Sequence, residues 1–241
     1  RIEPAAFFPL NEIVESIPEK AVSFHYLAIG AQTILQTDSR TLLVGKNRSQ
    51  RFRDPLLKIN LNTGETIPIS GNMNSIYELS MNDRNKSLFS IGMRETPSGQ
   101  ISTTLNRHTL YNPGQHREIF SYDGRDSNAS MVFDETSDRL YFTIGYNSLH
   151  YFDGRRSRDF PVAGDVIPRQ LAVNEKYLVS LNRDSTVSLW DKDRMQNLVN
   201  FYLFKDGRWL AVFGSKGYFG SSGIEDRITV VQDGEPLPSF R

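Results

Sequence analysis

The sequence contains no cysteine, which excludes disulfide scaffolds, thiolate metal sites and cysteine nucleophiles. It also lacks an excess of either charge, because 28 Lys and Arg balance 28 Asp and Glu. A general nucleic-acid binder or a polybasic membrane-surface protein would carry a basic excess. No apolar run approaches the roughly 18 residues of a membrane-spanning helix. These absences leave a neutral chain whose partners would be selected by local patches.

The first 20 residues differ in character from the rest. Only the segment from Asn11 to Lys20 has a short helical spacing, and Pro18 interrupts it. We expect residues 1–20 to form an N-terminal arm or linker. The chain begins at Arg1 without a signal-peptide pattern, from which we expect a fragment of a longer protein or a processed chain. The missing leader and the missing cysteine together favour a cytoplasmic location.

From residue 21 onward, short β-branched and aromatic runs alternate with Gly, Asn, Asp and Ser, a pattern typical of antiparallel strands. A strand–turn–strand element recurs five times, each time preceded by a polar hairpin. Its copies end 51, 40, 41 and 39 positions apart, at Ile69, Phe120, Phe160, Phe201 and Phe240. A period of this length with four strands is the signature of a propeller blade.

The repeat therefore predicts an all-β fold, a β-propeller of about five recognisable four-stranded blades over residues 21–241. The predicted blades span approximately residues 21–70, 71–121, 122–162, 163–201 and 199–241. Two arrangements stay open, a complete small ring or part of a larger ring. A sandwich would not need the same strand order five times, so it is less favoured.

The fourth unit carries the sharpest motif. The run from Asp184 to Asp191 reads DSTVSLWD and resembles the third strand of a WD-repeat blade, with Asp184 at its start and Trp190-Asp191 at its end. Asp226 fits the place of Asp184 one blade later. The resemblance implies a rigid interaction scaffold, here complete or as part of a seven-bladed ring. The Gly-His pair of many WD blades is absent, so we expect their His-Ser-Trp network not to form as it does there.

The last unit has a pattern of its own. Asp206, Gly207 and Trp209, followed by Tyr218 and Phe219, resemble the closing blade of bacterial WD-repeat proteins, some of which are fused to caspase-like peptidases. This resemblance implies a bacterial source and a link to a larger enzyme. If Trp209 is buried between blades, replacing it by alanine should cost about 3 to 5 kcal/mol.

Few residues suggest chemistry. The histidines, His25, His108, His116 and His150, lack the spacing of a helical metal pair. His108 and His116 flank one turn, where a solvated hairpin is favoured over a metal site, and His150 is interpreted as structural. Acidic residues fall in the hairpins, whereas the first strands that would face a propeller axis contain few. We therefore predict no catalytic residue, no metal and no cofactor.

Two basic clusters and two aromatic residues are the candidates for contacting a partner. The clusters lie in predicted turns, and the candidates are Arg48, Arg51, Arg53, Arg155, Arg156, Arg158, Tyr218 and Phe219. Solvated turns are the plainer interpretation, and recognition of an acidic partner is the sharper one.

The sequence as a whole favours a non-catalytic protein-interaction scaffold that forms the C-terminal part of a larger protein. Its partners would be proteins, an upstream domain of the same polypeptide included, with no nucleic acid and no membrane span. Two alternatives remain. One is a regulatory or sensor domain of a larger enzyme such as a caspase-like peptidase, and the other is a propeller hydrolase or lyase with an axial pocket.

Overall fold

The computed structural model describes residues 31–46, 55–69, 73–109, 112–126, 129–145, 148–160, 166–214, 217–224, 231–232 and 235–236. These ranges consist of strands and the turns between them, without an α-helix. Accordingly, the described part of the chain offers no helix of the length and apolar character needed to traverse a bilayer. The predicted arm over residues 1–20 lies outside the described residues.

The strands follow one another as four successive meanders and a final short hairpin. The first sheet contains β1 (Ala31–Asp38), β2 (Thr41–Lys46), β3 (Leu56–Asn60) and β4 (Thr66–Pro68). The second contains β5 (Ser75–Asn82), β6 (Ser87–Glu95), β7 (Ile101–Thr109) and β8 (Asn112–Asp123). The third contains β9 (Ser130–Asp134), β10 (Arg139–Thr143), β11 (Leu149–Phe152) and β12 (Ser157–Phe160).

The fourth sheet is longer. It contains β13 (Pro168–Val173), β14 (Tyr177–Asn182), β15 (Val187–Asp191), β16 (Gln196–Leu203), β17 (Trp209–Val212) and β18 (Tyr218–Gly220). A separate hairpin joins β19 (Val231–Gln232) to β20 (Glu235–Pro236). Within every sheet the strands lie in chain order and pair antiparallel.

The sheets are arranged around their first strands. β1 contacts β5, β5 contacts β9, and β9 contacts β13. Apolar side chains fill the space between successive sheets, in clusters centred on Leu43 and Leu88, on Phe89 and Phe142, and on Tyr141. Sheets that pack face to face with their first strands innermost form a propeller, as the sequence predicted.

The turn after the first strand of each sheet is built in the same way. Asp38, Asn82, Asp134 and Asn174 each accept a hydrogen bond from a backbone N–H two residues ahead, at 2.7 to 3.0 Å. Short carboxylate and amide side chains favour such turns because they replace a backbone acceptor. The polar hairpins recognised in the sequence therefore determine where each sheet reverses.

The strands assigned to a fifth blade are arranged differently from the expectation. The predicted hairpin forms, because Tyr202 pairs with Leu210 and Leu203 with Trp209. However, its first arm is the end of β16, so β17 and β18 extend the fourth sheet instead of opening a separate one. The turn between β16 and β17 is tight, with Gly207 at φ 82° and its N–H bonded to the Phe204 carbonyl. β16 thus closes the fourth blade and begins the next hairpin in one strand.

Candidate functional site

One position recurs in the third strand of all four sheets. A leucine of the second strand (Leu42, Leu88, Leu140 or Leu178) lies opposite Ile59, His108, Phe152 and Trp190, respectively. All four opposing side chains are buried. We call this position the motif slot, because in the fourth sheet it holds the Trp of the WD-like motif.

Trp190 anchors a buried polar chain. It is fully buried, and its indole Nε1 donates to Ser180 Oγ at 3.0 Å. Ser180 donates to Asn182 at 2.8 Å, and the Asn182 amide donates to Thr186 and Ser188 at 2.9 and 2.7 Å. Every step has a donor and an acceptor, as buried polar groups require. Because the Gly-His pair is missing, the usual network with histidine was not expected. In its place the fourth sheet has a network without histidine.

The motif aspartates lie in turns. Asp184 accepts from the N–H and the hydroxyl of Thr186, at 3.0 and 2.6 Å, in the turn before β15. Asp191 accepts from two backbone N–H groups in the turn after β15. Asp153 does the same after β11, and the backbone N–H groups of Arg156 and Arg155 hold its pKa below the ordinary value. The Phe152-Asp153 pair therefore occupies the same place as Trp190-Asp191.

A buried ion pair joins the third and fourth sheets. Lys192 Nζ lies 2.6 Å from Asp134 Oδ2, and both side chains are 3% exposed. Lys192 also donates to the Thr136 hydroxyl and the Asn174 carbonyl. Burial by itself would raise the pKa of Asp134, but the hydrogen bonds from Lys192, Ser137 and Thr136 outweigh it and hold the value at about 2. We call this group the Lys192 clasp.

A more exposed contact links the second and third sheets at their corresponding turns. Asn82 Nδ2 donates to Asp138 at 2.8 Å, and the backbone N–H of Asp83 donates to Glu135 at 2.9 Å. Arg84 lies 3.6 Å from the same Glu135 carboxylate. Neighbouring turns are therefore tied together, so the loops that they display are held in a fixed relation.

The predicted arginine cluster of the third sheet lies at the β11–β12 hairpin, with Arg155 and Arg156 in the turn and Arg158 on β12. Arg155, Arg156 and Arg158 are exposed. Their turn is fixed by Asp153, and Arg158 is 3.9 Å from its carboxylate. The three guanidinium groups are thus presented together at one hairpin. The other cluster, Arg48, Arg51 and Arg53, lies outside the described residues, as do Asp226 and His25.

The predicted aromatic candidates lie on β18 of the fourth sheet. The cross-strand pairing places Leu181, Phe201, Leu203, Trp209 and Phe219 on one face. Phe219 is 66% exposed and Leu203 is 69% exposed. We call this surface the outer face of the fourth sheet. Its opposite face, with Trp190, packs on the third sheet.

Trp209 belongs to this outer face and is only half-buried. Its ring meets Phe219 edge-on at 5.5 Å between centroids. The condition for a cost of about 3 to 5 kcal/mol, burial between two blades, is therefore not met. Asp206 and Gly207 form the turn that precedes it, where Asp206 binds Arg208 at 2.6 Å. Tyr218, 45% exposed, lies on the neighbouring strand β18.

The structure corrects the interpretation of one titratable group, His108, and adds another, Glu78. His108 is buried, not solvated, because its strand face is directed to the gap between the first two sheets. Glu78 was not recognised from the sequence. It lies on the first strand β5, and burial raises its pKa to about 7. A lone Glu within an apolar strand was the signal that could have identified it.

Comparison with known proteins identifies the fold. No family model matches the chain, and no curated protein matches it. Among solved structures it is similar to U3-55K, a WD40-repeat propeller, with a TM-score of 0.52, 14% identity, and coverage of 87% of this chain and 68% of that one. It is also similar to hydrazine synthase of Kuenenia stuttgartiensis (TM-score 0.50, 12% identity, 76% of this chain and 55% of that one). A third is an auxiliary nutrient binding protein of Bacteroides thetaiotaomicron (TM-score 0.51, 9% identity, 70% and 40%).

At this level of identity the likeness concerns the fold. Together with the four meanders and the motif slot, it defines the chain as an all-β, WD-like β-propeller. The chain spans about half the length of the hydrazine synthase and nutrient-binding chains that it matches.

Proposed function

We propose that this chain is a non-catalytic scaffold that binds a protein partner, and that it acts as part of a larger protein. The observation that carries the proposal is the outer face of the fourth sheet, an apolar surface with Leu203 and Phe219 mostly exposed. Contiguous exposed apolar surface in a folded protein commonly marks a contact with another protein or domain. The partner on this face is a protein or an upstream domain of the same polypeptide.

The outer face is supported rigidly, which suits the presentation of a binding surface to a partner. Its reverse side is fixed by the fully buried Trp190 and by the Lys192 clasp. The exposed Arg155, Arg156 and Arg158 add a cationic hairpin on the third sheet, suited to carboxylates of a partner. Aromatic and arginine side chains are the types that contribute most at protein interfaces.

The proposal is tested by binding with surface variants. The purified chain, wild type or carrying Leu203→Ser and Phe219→Ser together, is immobilised and exposed to extract from its source cells. We expect the double variant to lose the retained protein, whereas Ile67→Ser, at an isoleucine of the first sheet that is 41% exposed, keeps it. Equal retention by all three proteins would contradict the role of the outer face.

A second candidate, an enzyme with an axial pocket, is favoured by one observation. Glu78 lies on an innermost strand with a pKa of about 7, the range expected of a general acid. Hydrolysis of chromogenic esters or glycosides that is lost in Glu78→Gln but kept in Glu135→Gln would support it. The alternative of a regulatory domain of a peptidase is decided by whether the retained partner is such an enzyme.

A further inference from the structure

The motif slot of the second sheet holds a histidine where the fourth sheet holds a tryptophan. Leu88 lies opposite His108, as Leu178 lies opposite Trp190. Two residues after each leucine stands a serine that meets the slot side chain. Ser180 is bonded to the indole at 3.0 Å, and Ser90 lies 2.7 Å from His108 Nε2. The two sheets therefore carry the same local arrangement with one aromatic ring exchanged.

This correspondence assigns the proton on His108. The indole N–H can only donate, so the slot serine acts as an acceptor in the fourth sheet. Ser180 passes its own proton to Asn182, and Ser90 passes its proton to Met73 Sδ at 3.8 Å. The contact between Ser90 and Nε2 does not itself fix the donor. If Ser90 keeps its single proton on Met73, it accepts from Nε2–H of His108. The lone pair of a neutral His108 is then on Nδ1.

That Nδ1 atom is buried and lacks a hydrogen-bond partner among the residues that the structure describes. His116 lies directly opposite on β8, with the two ring centroids 5.9 Å apart. Its Nδ1 is likewise buried and lacks a described partner. Two unpaired ring nitrogens on adjacent strands are costly unless something binds them.

We propose that His108 and His116 together bind one divalent transition-metal ion of the Zn²⁺ or Cu²⁺ class through Nδ1. An ion about 2.0 to 2.1 Å from each nitrogen lies about 3 Å from each ring centre, which fits centroids 5.9 Å apart. Imidazole is a preferred ligand of these ions. The Nε2–H bond to Ser90 is the outer contact that orients a ligating histidine.

Two further observations bear on the strength of binding. Burial, and then the neighbouring His116, lowers the pKa of His108 to about 4, so its ligand form is present at neutral pH without loss of a proton. The described residues contain no group of three or more His, Asp or Glu side chains around one point. Water would complete the coordination, so binding weaker than in a closed four-ligand zinc site is expected.

Isothermal titration with Zn²⁺, and separately with Cu²⁺, tests the site on the full chain. Wild type is expected to bind one ion. His116→Ala should weaken binding at least tenfold, and so should His108→Phe, which places in the slot the residue that the third sheet has there. His150→Gln is the matched control, because His150 has one buried ring nitrogen without a described partner but no second histidine against its ring, which contacts Phe120 and Phe142. Binding that is absent from wild type, or undiminished in His116→Ala, would overturn the proposal.

A second measurement uses only the wild-type chain, so it does not depend on how stable the variants are. Long-range ¹H–¹⁵N spectra of the metal-free chain report which ring nitrogen of each histidine carries the proton. We expect His108 to be protonated on Nε2, with the Nδ1 signal shifting when Zn²⁺ is added. A proton on Nδ1 of His108, or a signal that Zn²⁺ leaves in place, would refute the site.

Discussion

The two faces of the fourth sheet carry one tryptophan each, and the two residues are in opposite situations. Trp190 is fully buried against the third sheet, with its N–H bonded to Ser180. Trp209 is half-buried on the outer face, where its main aromatic contact is the exposed Phe219. Both belong to segments that resemble WD-type blades. The difference teaches that a blade motif stabilises the protein only where a neighbouring sheet covers it, since each blade packs solely on its neighbours.

The largest effect is expected on the covered face. Trp190→Ala removes a fully buried ring and leaves the Ser180 hydroxyl without its donor, so we expect a loss of about 4 to 5 kcal/mol in the free energy of unfolding. Urea denaturation followed by circular dichroism measures it. Trp190→Phe places in the motif slot the residue type that the third sheet has there, Phe152. This variant should recover more than half of the free energy of unfolding that Trp190→Ala loses. A loss below about 2 kcal/mol in the free energy of unfolding for Trp190→Ala would contradict the difference between the two faces.

The Lys192 clasp tests whether this boundary depends on charge as well as on packing. Asp134→Ala leaves the Lys192 ammonium buried without its counter-ion, which we expect to cost about 3 to 4 kcal/mol. Replacing both partners, Asp134→Ala with Lys192→Met, should cost less than the single change. Equal losses in the single and double variants would show that the cost arises from packing alone.

On the outer face, Trp209→Ala should cost about 1 to 2 kcal/mol, because only part of the ring is removed from water. The same urea titration measures it alongside Trp190→Ala. A loss as large as that of Trp190→Ala would mean that the outer face is covered in the folded protein and that the contrast fails.

The smallest effect concerns Glu78 on β5 and depends on pH. The ordinary pKa of Glu78, 4.5, is raised by burial to about 7, so between these values the folded state holds a proton that the unfolded state has released. The contribution of Glu78 to stability is therefore most favourable below pH 4.5, becomes less favourable as pH rises towards 7, and levels off above. Glu78→Gln should stabilise the protein by about 1 to 2 kcal/mol at pH 8 and leave it unchanged at pH 4. Equal effects of the substitution at both pH values would exclude ionisation as the cause.

Much of the fold could be predicted because its turns contain residue types with strong local conformational preferences. Asn82, Asp134 and Asn174 accept backbone hydrogen bonds in turns where the sequence placed polar hairpins. The propeller followed from their regular recurrence. The pairing of β16 with β17 in one sheet could not be predicted from the turn residues. The sequence of a tight hairpin is the same whether its first strand begins a new sheet or ends the previous one.

The candidate site was less accessible to sequence reasoning. Which face of a strand is covered depends on the neighbouring sheet, so His108 was interpreted as solvated although it is 2% exposed. The buried chain from Trp190 through Ser180 and Asn182 was missed for a related reason. It uses common residue types whose convergence appears only once the strand register is known.

The contrast between the two tryptophans also has an optical consequence. The chain contains only two tryptophans, so its intrinsic fluorescence is the sum of one shielded and one partly hydrated indole. The blue-shifted component reports on the junction between the third and fourth sheets, and the red-shifted component reports on the outer face. A quencher dissolved in the buffer reaches Trp209 and spares Trp190. Association of a partner with the outer face would thus be visible as loss of quenching, without a label and without altering a residue.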